Sequence, residues 1–227
     1  VETETAPPAY EPDPRTVFVV HGRNEPARNA LFEFLRALDL RPLEWEDAVA
    51  HTGEAAPYIG TVLDAAFNKA QAVVVLQTPD DIAYLRPDLS EPDEPDAQPQ
   101  GQSRQNVLFE AGMALGRAAE RTVLVEFGPL RGFSDVAGRH TVRLDNAVPA
   151  RQRLATRLKN AGCAINMDGT DWHTAGDLTP PEPLGGGLPL GCRLPRSADN
   201  GQPQLSARCI SGGGGNRLDE VTITNRG

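Results

Sequence analysis

One stretch of the sequence, RQNVLFEAGMALG at residues 104–116, places a single acid, Glu110, among apolar residues. The apolar positions predict a helix packed on both sides, where a carboxylate is costly unless something satisfies it. Asn106 lies one turn before Glu110 on the same face, and Arg104 stands at the helix start, where a cation and free N–H groups suit a phosphate. These residue types predict a polar-ligand site; the alternative is a Glu110 that reaches solvent or pairs with an arginine.

The elements that must position Glu110 alternate between strands and helices. Short apolar runs predict buried strands, and apolar stripes at helical spacing predict crossover helices. The predicted strands are 16–20, 41–45, 72–77, 121–127 and 140–144, and the predicted helices are 25–39, 58–70, 104–116 and 150–162. Asn24 is the expected cap of the first helix and Ser103 of the third, and Gly162 ends the last one.

This alternation predicts an α/β, flavodoxin-like fold with a parallel five-stranded sheet of order 2-1-3-4-5 and helices on both faces. The run 72–77 is the most apolar and should lie at the centre. In such folds ligands bind beyond the carboxyl ends of the strands, where strand order reverses. This rule selects the loops HGRN (21–24) and TPDD (78–81). Two other segments, 46–57 and 78–103, are predicted to be polar loops, the second one mobile in its middle.

Charge and composition exclude several classes of partner. The net charge is −9 and no cluster of Lys or Arg could follow a phosphate backbone, so nucleic acid and anionic membranes are not expected partners. No apolar run is long enough to span a membrane, and the start of the chain lacks a signal-peptide core, which favours a cytoplasmic protein. Cys163, Cys192 and Cys209 are widely spaced and indicate neither a disulfide framework nor a metal site.

Composition also suggests three regions. Residues 1–14 are rich in proline and acid and are predicted to form a loose arm, and residues 15–165 hold the α/β domain. Residues 166–227 are Gly/Pro-rich and lean towards β structure, which predicts a linker and the start of a β-rich module. GGGG at 212–215 follows no buried strand and opens no helix, so it is not a phosphate loop. The missing initial Met suggests a fragment of a longer protein.

Three motifs together resemble one known family. TVFVVHGRN, VVVLQTPDD and RQNVLFEAGMALGR occur in the order and spacing of the TIR-like nucleotide-binding modules of bacterial anti-phage systems, including those fused to STING domains. The resemblance covers residues 16 to about 145 and implies a TIR-like fold. It also implies an NAD⁺ glycohydrolase, in which the carboxylate of Glu110 stabilises the cationic ribose left when neutral nicotinamide departs.

The resemblance also implies the other site residues. In this reading the nucleotide pocket is formed by His21, Gly22, Arg23, Asn24, Thr78, Asp80, Asp81, Arg104 and Asn106. Gly22 would permit close backbone approach, and Arg23 would meet the pyrophosphate. Trp45 either stacks on a ring of the nucleotide or covers the sheet edge. No metal and no cofactor are implied, because NAD⁺ is the substrate.

Self-assembly is implied as well, since modules of this family become active when TIR–TIR contacts complete a neighbour's pocket. His51, Thr52 and Gly53 lie in the segment where such an assembly loop is expected. A sensor module or an upstream signal would trigger assembly, and the C-terminal region is expected to belong to a separate sensing or adaptor module. Two alternatives remain open. One is a scaffold that binds a nucleotide or signals without cleaving it. The other is an enzyme resembling nucleoside deoxyribosyltransferases, which the HGRN and TPDD loops fit less well.

Overall fold

A computed structural model describes residues 12–91, 94–132 and 141–182 of the chain. In these residues five parallel strands form one sheet: β1 (Asp13–His21), β2 (Arg41–Leu43), β3 (Ala70–Gln77), β6 (Thr122–Glu126) and β7 (Val142–Arg143). Their order across the sheet is β2-β1-β3-β6-β7. The predicted flavodoxin-like order is confirmed, with the most apolar strand at the centre of the sheet.

Helices cover both faces of this sheet. One face packs against α1 (Glu25–Ala37) and α5 (Val148–Asn160), and the other against α2 (Trp45–Thr52), α3 (Ile59–Lys69) and α4 (Gln105–Ala118). Alternation along β1 separates the two cores, because Val17 and Val19 contribute to the first and Phe18 and Val20 to the second. The position of a residue along a strand therefore tells on which face of the sheet its side chain lies.

Two of the three predicted helix signals are confirmed. Asn24 caps α1, since its side-chain oxygen accepts a hydrogen bond from the N–H of Ala27 at 3.1 Å. Gly162 follows the end of α5 with φ of +90°, a conformation that favours glycine. The prediction for Ser103 was wrong. Arg104 is the N-cap residue of α4 and makes no side-chain capping bond, while Ser103 is buried one residue earlier.

The segment after β2 is the first departure from the expected fold. The predicted strand 41–45 ends at Leu43, and the predicted polar loop 46–57 begins with helix α2, of which Trp45 is the first residue. This helix buries only Ala48, so it carries no apolar stripe that a sequence pattern would reveal. Gly53 ends it with φ of +69°.

The segment 78–103 is the second departure. It contains the antiparallel ribbon of β4 (Asp81–Ala83) and β5 (Gln100–Gln102), together with short 3-10 turns at Pro87–Leu89 and Pro95–Ala97. Strands of three residues are too short to show a period-two pattern, which is why a plain loop was expected. The ribbon connects the TPDD loop to the start of α4.

The chain after α5 returns to the core. The guanidinium of Arg151, 1% exposed, donates hydrogen bonds to the carbonyls of Ala175 at 2.5 Å and Gly176 at 2.7 Å. Trp172 and Leu178 are buried in the α1 side of the core. Residues 163–178 thus pack with the α/β core, although the sequence suggested a linker beyond 165.

Some expectations concern the ends of the chain. Cys163 is buried, and burial raises the pKa of its thiol to about 11. Asp13 and Pro14, expected in the loose arm, belong to β1. Residues 1–11 and 183–227, which include Cys192, Cys209 and the GGGG segment, lie outside the described residues. The proposed domain boundaries remain predictions.

Candidate functional site

The two loops selected by the strand order meet at the carboxyl edge of the sheet. The carboxylate of Asp80 accepts a hydrogen bond from the backbone N–H of Arg23 at 2.6 Å. A Cβ atom on Gly22 would lie 1.9 Å from the same carboxylate oxygen and 3.6 Å from Oγ1 of Thr78. Only glycine fits at position 22 while Asp80 holds this place. The contact joins the HGRN and TPDD loops directly.

Two residues of the first loop face the α1 side of the sheet. The ring of His21 packs edge-on against Phe32 of α1, with 6.4 Å between ring centroids, and its Nδ1 lies 2.9 Å from the carbonyl oxygen of Gly22. Asn24 uses its side chain to cap α1. Both side chains therefore have structural contacts on the face opposite α4. That they line a nucleotide pocket stays a prediction.

The direction of Glu110 follows from a contact further along α4. Arg117 lies two turns after Glu110 on the same side of the helix, and its guanidinium pairs with the carboxylate of Asp64 on α3. Asn106 shares this side one turn earlier. The side chain of Glu110 is thus directed towards α3, between the two helices.

The surroundings of Glu110 are apolar enough to change its ionisation. Burial raises the pKa of its carboxyl from 4.5 to about 7. Among the described residues no cation pairs with it and no hydrogen bond reaches it. Glu110 as a whole residue is half-buried. A carboxyl with a pKa near neutrality can both accept a proton and stabilise a cation.

Helix α4 is covered on one side only, which corrects the expectation of a helix packed on both sides. Val107, Ala111 and Ala114 face the sheet, whereas Phe109 is 66% exposed. Tyr58, at the start of α3, is 80% exposed. Both helices begin at the carboxyl edge of the sheet, with Tyr58 just before the first turn of α3 and Phe109 in the second turn of α4. Their spacing gave no reason to single them out from the sequence.

The remaining predicted residues are close to the loops or to the start of α4. Thr78 is buried, and Asp81 begins β4 and pairs with Gln102 of β5. Arg104 is half-buried at the first turn of α4, and Asn106 is exposed. The hydrogen bonds of the described residues join the two loops to each other, and none joins a loop to Glu110.

One buried polar residue was missed by the sequence reading. Gln77 ends β3 and is 6% exposed. Val73 and Val75 of the same strand belong to the core that includes Val107 of α4, so by alternation Gln77 faces the α4 side. Only the register of a known sheet reveals this, because a glutamine at the end of an apolar run carries no sign of the face it occupies.

A separate cleft of about 390 Å³ lies between the start of α1 and residues 177–181. Asn24 is the one predicted site residue that lines it, together with Asn29, Phe127 and Asp177. This cleft is on the α1 side, opposite Glu110. In the described part of the chain no three His, Cys, Asp or Glu side chains are grouped so that they could hold a metal ion.

Similarity to known proteins agrees with the geometry. The uncharacterized protein YuaY of Escherichia coli (strain K12) is 26% identical over 163 residues, which are 71% of this chain and 50% of that protein. The chain thus spans about half the length of this relative. None of the described helices is long and apolar enough to cross a membrane. The family model of the CAP12/Pycsar effector protein TIR domain matches residues 16–146, more than half of the chain, and the chain therefore belongs to this family of anti-phage TIR effectors.

Proposed function

We propose that this TIR domain is an NAD⁺ glycohydrolase that acts in the bacterial cytoplasm as an effector of anti-phage immunity. The observation that carries the proposal is Glu110, a half-buried carboxyl with a pKa of about 7 and no described partner, directed into the space between α3 and α4. A carboxyl whose pKa burial shifts this far is a candidate functional residue. Family membership supports the effector role, and the residue supports the chemistry.

In the proposed reaction the bond between nicotinamide nitrogen and C1′ of ribose breaks, and its electron pair leaves with nicotinamide. The leaving group is neutral, so no general acid is required. The carboxylate of Glu110 stabilises the positive charge that develops on the ribose ring. A water oxygen then bonds to C1′, and the proton it loses passes to Glu110, whose pKa suits this transfer. The products are ADP-ribose, nicotinamide and a proton.

The remaining residues have proposed roles that follow from their positions. Arg23, at the start of α1, and Arg104, at the start of α4, would bind the pyrophosphate with the N–H groups of those helices. Thr78, Asp81 and Asn106 would contact the ribose units. Asp80 would act through Arg23, because its carboxylate already binds the backbone of that residue.

Activity is proposed to require association of several copies through TIR–TIR contacts. His51 and Thr52 end α2 and Gly53 follows it, and nearly all residues from 53 to 58 are exposed. This exposed turn is the proposed assembly loop, which would complete the pocket of a neighbouring copy. A sensor module would bring the copies together.

The test is to incubate NAD⁺ with the concentrated or artificially oligomerised protein and to measure free nicotinamide. We expect release by the wild type and by Glu120→Gln, whose side chain is 77% exposed, and loss with Glu110→Gln. Equal release by the wild type and Glu110→Gln would remove Glu110 from the mechanism. No release from a forced assembly would favour the non-catalytic scaffold.

A further inference from the structure

Gln77 occupies a position from which a side chain can reach the space below α4. It is the last residue of the central strand β3 and lies on the same face as Val73 and Val75, which pack against α4. This is the face that carries Glu110. The carboxamide thus lies at the carboxyl edge of the sheet, on the side of the proposed pocket.

The residues beside Gln77 on the two neighbouring strands are Glu126 of β6 and, by register, Gly22 after β1. Gln77 is in register with Glu126 of β6, whose carboxylate accepts a hydrogen bond from Nε of Arg143 at 3.1 Å. On the other side Val20 of β1 is in register with Val75, which places Gly22 beside Gln77 two residues later. Gly22 has no side chain, and the space that a Cβ there would take is occupied by the carboxylate of Asp80, with Oγ1 of Thr78 close by, so polar groups of the TPDD loop stand on this side of Gln77.

The carboxamide of Gln77 makes no hydrogen bond with another described residue, although Gln77 is only 6% exposed. Gln71, near the beginning of the same strand, behaves in the usual way, because its Nε2 donates to the carbonyl of Ala161 at 2.8 Å. Buried polar side chains nearly always have a partner, and a carboxamide offers two donors and one acceptor oxygen. The amide atoms of Gln77 are not among the fully buried side-chain atoms that lack a partner in the described part of the chain, so we take the carboxamide to be open at the carboxyl edge, where a ligand can bond it.

We propose that Gln77 is a substrate-binding residue of the same site, which hydrogen bonds a neutral group of NAD⁺ that both donates and accepts. Three groups of NAD⁺ have this chemistry: the carboxamide of nicotinamide, the ribose hydroxyls, and the adenine edge with its amino group and ring nitrogens. This inference rests on the proposed function, since it takes NAD⁺ as the ligand. It adds a residue that neither the motifs nor the resemblance indicated.

The experiment measures ligand binding in a variant that is expected not to hydrolyse NAD⁺. In the forced assembly of the Glu110→Gln protein, the Kd for NAD⁺ and for ADP-ribose is determined with and without Gln77→Leu. We expect Gln77→Leu to raise the Kd by about tenfold, the effect of one or two lost neutral hydrogen bonds. A rise for NAD⁺ alone assigns the nicotinamide carboxamide, and a rise for both ligands assigns a group of the ADP-ribose part, a ribose hydroxyl or the adenine edge. An unchanged Kd for both overturns the inference.

Gln71→Leu is the matched control, since it removes the other glutamine of β3. It should lower the Tm by removing the bond to Ala161 and leave both Kd values unchanged. Gln77→Leu should change the Tm little, because it removes no hydrogen bond between described residues. A Tm loss equal to that of Gln71→Leu would show a structural role and overturn the inference. Absence of NAD⁺ binding before Gln77 is changed would instead refute the proposed function.

Discussion

Replacing Glu110 by glutamine should stabilise the protein at high pH while it abolishes nicotinamide release. The carboxyl pKa is about 7 in the folded protein and 4.5 as an ordinary value, so the folded state holds its proton more tightly. Stability is thus greatest when the group is protonated, and it falls as pH rises through this range. The glutamine side chain has nearly the same shape and carries no charge at any pH.

The magnitude follows from the two pKa values. A change from 4.5 to about 7 corresponds to about 3 kcal/mol, and solvent screening of a half-covered group reduces this to about 1–2 kcal/mol. Roughly half of the interval between the two pKa values lies between pH 5.5 and 8.5. The stability advantage of Glu110→Gln over the wild type should therefore grow by about 1 kcal/mol, a Tm difference of roughly 2–4 °C for a chain of this size.

The assay is thermal unfolding of both proteins at pH 5.5 and 8.5, followed by circular dichroism. Glu120→Gln is the control and should follow the wild type at both pH values, because Glu120 is at the amino edge of the sheet and largely exposed. The same Tm difference between Glu110→Gln and the wild type at both pH values would contradict this prediction. That result would mean that Glu110 does not titrate in a covered site.

Three further predictions follow from single contacts. Nicotinamide release should increase as pH passes upward through about 7, because the charged form of Glu110 stabilises the ribose cation; a flat profile would contradict this. Gly22→Ala should lower stability by about 1 kcal/mol, because the Asp80 carboxylate must turn away and lose its bond to the N–H of Arg23. In an Asp80→Ala background the same change should cost little, unlike an additive pair in chemical denaturation. Arg151→Met should lower the free energy of unfolding by about 2–4 kcal/mol, because the carbonyls of Ala175 and Gly176 lose their hydrogen-bond donor. Tryptophan fluorescence should then report unfolding at a lower denaturant concentration. An unchanged midpoint would mean that the guanidinium does not stabilise this segment.

The large elements were accessible to sequence reasoning because they bury continuous apolar surfaces. The run 72–77 could only be a central strand, and the stripe of α1 with Asn24 before it marked both the helix and its start. Helix α2 was not predicted because it buries one alanine only, and a single buried residue gives no helical periodicity in the sequence. The β4–β5 ribbon depends on pairing between residues about twenty positions apart, which local patterns do not contain.

The candidate site was predictable in its location and less so in its contacts. Strand order alone placed the HGRN and TPDD loops together, and the hydrogen bond from Arg23 to Asp80 confirms that they meet. The faces of individual residues were not predictable, because they depend on where each strand ends. His21 proved to pack on α1, and Gln77 was overlooked although it faces α4.

The fit between Gly22 and Asp80 also sets an order on evolutionary change. A side chain at position 22 would collide with the carboxylate at 1.9 Å, so that substitution is harmful while Asp80 is present. Loss of Asp80 first removes one hydrogen bond and opens the space. Lineages that vary at position 22 should therefore carry a smaller residue at position 80, and the reverse order of change should be rare. Covariation between positions 22 and 80 among related sequences is the expected evidence for this order of change.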